Sequence, residues 1–156
     1  MLLKEIKLLL YTKKKKKIMS NNLSHTDASY SIPPSASTAI SGTYNPTLVN
    51  TSNIDSSTPF QLTYLRVGNT VFVSGQVEIT AQFGGLLTVL NMDLPIPSNF
   101  STIYQAGGTA IAIRASGAVS ATIEANDISD DIELKYYAPD AATRVFSFSF
   151  GYEVAV

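Results

Sequence analysis

The chain has 156 residues, of which 45% are hydrophobic and only 15% charged, against a usual charged share of about 25%. That is enough chain for one ordinary domain with a core, under a surface rich in Ser, Thr, Asn and Ala. It has no Cys and a single His, His25, which excludes disulfides, thiolate metal sites and cysteine nucleophiles and leaves little equipment for acid–base catalysis. No apolar run approaches the roughly 20 residues of a bilayer span.

The net charge of −1 hides a division. Residues 1–18 carry seven lysines against one glutamate, whereas residues 19–156 carry four cations against eleven acids. Four readings fit this basic N-terminal segment (1–19). Lys13 through Lys17 could attract phosphates, but without arginines or aromatics to read bases, so nucleic acid is not the expected partner. Leu2, Leu3, Ile6, Leu9 and Leu10 form a short apolar stripe suited to weak surface adsorption. A secretory signal fits badly, because the lysine block follows the apolar stretch instead of preceding it. The fourth reading is a leader translated by mistake ahead of a true start at Met19.

Residues 20–43 are dominated by Ser, Thr, Asn, Ala and Pro without hydrophobic period, and Pro33-Pro34 favours extended geometry. The expectation is a linker or arm, with His25 as a solvated residue of it. The folded domain is expected over 44–156. Candidate strands follow one another as Leu48–Ile54, Phe60–Val67, Thr70–Thr80, Leu86–Leu94, Thr109–Ala115, Val119–Ala125, Ile132–Tyr137 and a last run from Val145. Two of them alternate cleanly. Val71, Val73, Val77 and Ile79 face one way with Phe72, Ser74, Gln76 and Glu78 opposite; Phe146, Phe148, Phe150 and Tyr152 likewise share a face.

Gly68-Asn69 predicts a two-residue hairpin in which both residues tolerate positive φ, and Gly84-Gly85 predicts another. Pro95 and Pro97 end the strand before them. About eight short strands in some 110 residues predict an all-β fold: an antiparallel, jelly-roll-like β-sandwich.

Chemistry is sparse. Asp127, Asp130, Asp131 and Glu133 crowd oxygen ligands without the spacing of a calcium loop, and a solvated turn is the better reading. No Gly-x-Ser-x-Gly elbow occurs, and Gly107-Gly108 precedes a strand and so is no phosphate loop. Paired carboxylates could be drawn from Glu78, Glu124, Asp127 or Glu133, with no spacing that favours a pair. No enzyme and no cofactor are expected. Exposed aromatics suit flat contact with sugars or another subunit, and Tyr104 and Tyr137 are the candidates; Tyr136 and Tyr137 point to opposite faces, so one belongs to the core.

The run Tyr64-Leu65-Arg66-Val67-Gly68-Asn69-Thr70-Val71-Phe72-Val73-Ser74-Gly75, followed by Leu94-Pro95-Ile96-Pro97-Ser98-Asn99-Phe100, resembles a C-terminal β-sandwich module of virion structural proteins of tailed bacteriophages. The small-residue run Ala106–Ala110 and the closing aromatic strand extend the likeness over most of 44–156. The resemblance implies a head fibre, capsid decoration or tail-fibre component located in the virion. It implies a homotrimer that touches other virion proteins through the arm and, at its outer surface, host glycan. It supplies no catalytic residue; Arg66, Gly68 and Asn69 are expected to build the hairpin, with Arg66 pairing to an acid or carbonyl on the adjoining strand. The rivals are a small jelly-roll capsid protein with a nucleic-acid-binding arm and a secreted carbohydrate-binding module.

Overall fold

The computed structural model describes residues 39–114 and 117–154. The basic segment, His25 and most of the expected arm lie outside them. The described chain is all-β and antiparallel. Its ten strands are β1 (Ile40–Tyr44), β2 (Leu48–Ser52), β3 (Ile54–Pro59), β4 (Leu62–Val67), β5 (Thr70–Ala81), β6 (Leu87–Met92), β7 (Ala106–Arg114), β8 (Gly117–Asn126), β9 (Asp131–Tyr137) and β10 (Thr143–Glu153), with one 3₁₀ turn at Ile103–Gln105.

In place of two stacked sheets, one hydrogen-bonded ladder runs β1-β4-β5-β10-β7-β8-β9-β6-β2, with β3 on β5. The sheet curls, and the chain 40–59 ties its flanks together: β1 pairs with β4, β2 with β6 and β3 with β5. Asn53 makes the corner. Its φ of 53° swings β2 into β3. Its side chain donates to the Phe83 carbonyl (3.0 Å) and Thr88 Oγ1 (2.9 Å) and accepts from the Phe83 N–H (2.9 Å).

The core fills the inner face. Val71, Val73, Val77 and Ile79 of β5 meet Phe146, Phe148, Phe150 and Tyr152 of β10, with small residues of β7 and β8 and larger ones of β6 and β9 completing one cluster. Both alternating faces read from the sequence are borne out. Small residues let the strands approach: a Cβ on Gly108 would lie 2.3 Å from the Ser149 carbonyl oxygen, and one on Gly75 would lie 2.3 Å from the Leu62 side chain.

Three expectations need correction. Ten strands form instead of about eight, because Leu48–Ile54 divides at Asn53 and because β1 begins at Ile40, inside the expected arm. Gly84-Gly85 does not close a hairpin, since β5 pairs with β3, β4 and β10 while β6 pairs with β9 and β2. The segment instead crosses between distant strands of the ladder.

The Pro95–Phe100 loop lids the end of the core at which β10 finishes. Tyr152 Oη donates to the Ile96 carbonyl (2.7 Å), Ser98 Oγ donates to the Glu153 carbonyl (2.8 Å), and Phe100 packs edge-on against Tyr152. Burial pushes the Tyr152 phenol up to about 12 and raises those of Tyr44 and Tyr136 as well.

Candidate functional site: the outer face of the sheet

The predicted hairpin forms between β4 and β5, with Val67 opposite Thr70. Gly68 has φ +63°, whereas Asn69 is outside the positive region, so only the first central residue is left-handed. This correction fits a two-residue turn with Gly leading. Arg66 finds its partner inside the turn and not on the adjoining strand, its Nε donating to the Gly68 carbonyl at 2.7 Å, and the Asn69 carbonyl accepts from the Val154 N–H at 2.7 Å. All three residues build the turn.

The parity of Tyr136 and Tyr137 holds. Tyr136 is core, packed against Phe146, and Tyr137 is 71% exposed. Tyr104 is 87% exposed in the 3₁₀ turn. The two candidates are not brought together. Tyr104 stands just before β7, at the sheet end that carries the Gly68–Asn69 turn, whereas Tyr137 closes β9 at the other end. The length of β9 separates those ends by roughly 20 Å.

Tyr137 belongs to the sheet's outer face, where the register lines side chains into rows. One row is Thr63–Ser74–Ser149–Thr109–Thr122–Lys135, a belt of hydroxyls across five strands that ends at an ammonium. A second is Leu65–Phe72–Gly151–Gly107–Glu124–Glu133. In the third, Gln76–Ser147–Ile111–Ser120, the Gln76 amide donates to Ser147 Oγ at 3.0 Å.

The belt divides this face. On the distal side, toward Tyr137, lies a groove of about 960 Å³ lined by Leu87, Ile111, Tyr137, Ser120 and Ser147. Ile113 (78% exposed) and Val145 extend its apolar rim. On the other side a groove of about 630 Å³ is floored by Gly107 and Gly151 and walled by Phe72 and Leu65. Phe72 is 53% exposed.

Several of the acids are engaged. Glu124 and Glu133 face each other across β8 and β9, the one carboxylate pair of the sequence reading that folding unites, and the Lys135 ammonium bridges both. Burial pulls the Lys135 pKa down, but its hydrogen bonds and charge interactions with the two carboxylates outweigh that and raise it.

In the 127–131 loop, Asp130 Oδ1 accepts from the Phe100 N–H (2.7 Å), and Asp131 accepts from Ser129 Oγ and Asn91 Nδ2. Asn126 Oδ1 caps the turn through the Ile128 and Ser129 N–H groups. These carboxylates act as local turn acceptors, and among the described residues no three His, Asp or Glu converge as metal donors.

Sequence reading missed the grooves. The signal present was glycine inside a strand, which often marks close approach by another group; the outward side of Ile111 and Ile113 followed from period two once β7 was placed. Compared with protein-family models, curated proteins and solved structures, the chain gives no match.

Proposed function

We propose that this chain is a non-enzymatic structural protein of a virion: a head fibre, capsid decoration or tail-fibre component that self-associates as a homotrimer and is held by its N-terminal arm. The observation that carries the reading is the apolar distal half of the outer face. Leu87, Ile111, Ile113, Tyr137 and Val145 stand exposed there, with hydroxyl side chains and Lys135 around the groove and Glu78 beside Val145 in the ladder. Removing such surface from water contributes about 25 cal/mol per Å², and an exposed apolar patch rimmed by polar groups is suited to subunit contact.

The resemblance of residues 64–75 and 94–100 supplies the virion setting. In this reading the curled sheet serves as the sandwich-like body of the module, and its work is done by shape.

Antibody labelling of purified phage particles in the electron microscope tests the placement. Label at a head surface or tail appendage is the expected result. Absence of the protein from particles overturns the reading.

A further inference from the structure

Gly107 has no internal reason to be glycine. Its φ lies outside the left-handed region, and a Cβ built on it would meet nothing within 4 Å. The next residue is the contrast: Gly108 is required, because its Cβ would strike the backbone of β10. A strand interior is weakened by a glycine with no packing role, and such a residue is characteristic of a place where a ligand or another backbone comes close.

The missing side chain has one consequence. Gly107 and Gly151 are register partners on adjacent strands, so the outer face has a two-residue floor of bare backbone. Phe72, the register partner of Gly151, leans over it; a Cβ on Gly151 would touch the ring at 3.4 Å. On the other flank the exposed hydroxyls of Thr109 and Ser149 have no hydrogen-bond partner among the described residues. The nearest charges, Glu124 and Lys135, are bound to each other.

We propose that this glycine-floored trough is a binding site for a neutral sugar. An aromatic face offers a platform for the C–H face of a pyranose, and free hydroxyls serve as donor and acceptor to its OH groups. A concave site with one apolar wall and a few convergent polar groups is the usual form of a small-ligand site. The bare floor lets the ring settle between platform and hydroxyls, and the absence of an unpaired charge selects against acidic saccharides. The inference does not rest on self-association, which uses the other half of the face.

The full chain is screened on an array of neutral oligosaccharides ending in glucose, galactose, mannose or N-acetylglucosamine, and the strongest binder is titrated in solution. The Cβ of Gly107→Val meets nothing within 4 Å, so this variant is expected to keep its melting temperature and native mass while its branches fill the trough and weaken binding of that sugar roughly tenfold or more. Phe72→Ala weakens binding too, and Ile128→Ser, on the exposed 127–131 loop, leaves it unchanged. Failure to bind any neutral glycan at millimolar concentration overturns the proposal, as does binding that Gly107→Val does not alter. A Gly107→Val variant whose native mass falls assigns the trough to a second copy of the chain and overturns it equally.

Discussion

Replacing Asp140 by Ala isolates the one buried cation of the described chain. Arg144 is 2% exposed on the inner face of β10, in phase with Phe146. Its Nη2 meets Asp140 Oδ1 at 2.8 Å, its Nη1 donates to the Ala142 carbonyl at 2.9 Å, and Nε has no partner among the described residues. The guanidinium thus ties the β9–β10 connection to the core and has Asp140 as its counter-charge. Breaking a buried pair by removing one partner costs about 3–5 kcal/mol, because the remaining charge stays buried. The Asp140 side chain is 52% exposed, so solvent screens the pair, and roughly 2–3 kcal/mol is the expected loss for Asp140→Ala. Arg144→Met removes the charge while keeping most of the apolar volume, and is expected to stay within about 1.5 kcal/mol of wild type. In the Arg144→Met background, Asp140→Ala should then cost about 1 kcal/mol or less. Urea unfolding followed by near-ultraviolet circular dichroism of the Tyr and Phe side chains measures all four proteins. An Asp140→Ala loss below about 0.5 kcal/mol, or an equal loss in both backgrounds, refutes the reasoning.

Gly108→Ala places a methyl against the Ser149 carbonyl and the Phe150 backbone and should cost on the order of 3 kcal/mol or prevent folding, whereas Gly107→Ala should leave the melting temperature within a degree or two. Asn53→Ala loses three hydrogen bonds and strains a φ of 53°, an expected cost of about 2–4 kcal/mol; Asn53→Gly keeps the backbone angle and should be milder by about 1 kcal/mol in the same urea titration. The phenols define a pH dependence. The folded state holds the Tyr152 proton more tightly than the unfolded chain does, so this stability is complete below pH 10 and is lost as pH rises through about 12. Urea midpoints should fall across that window, and Tyr152→Phe should remove part of the fall; a flat profile contradicts the burial of these rings.

Wherever one face of a strand is buried and the other wet, the fold is legible residue by residue. Period two assigns the apolar inner side chains Val71, Val73, Val77 and Ile79 of β5 and Phe146, Phe148, Phe150 and Tyr152 of β10, though not the buried Arg144, and separates Tyr136 from Tyr137, because a shift of one position would expose the whole apolar set. β1 is hidden for the converse reason. Ile-Ser-Gly-Thr-Tyr carries only two large apolar side chains, four positions apart, and pairing with β4 makes it a strand, so tertiary contact overrides composition. The Gly84-Gly85 turn is real as a break in the strand, but which strands it connects depends on pairings far apart in sequence. The site was legible in kind and not in place. Tyr137 could be assigned outward, yet its groove partners Leu87, Ile111 and Ser147 come from three other strands, and only the ladder order joins them.

Light scattering of the full chain after gel filtration, beside Ile113→Lys at the same concentration, tests the subunit role most directly. A native mass near three times 16.8 kDa that falls to one chain in the lysine variant, with the variant still folded, is the expected result. A wild-type monomer, or a trimer indifferent to the lysine, contradicts the assignment of the distal face to subunit contact.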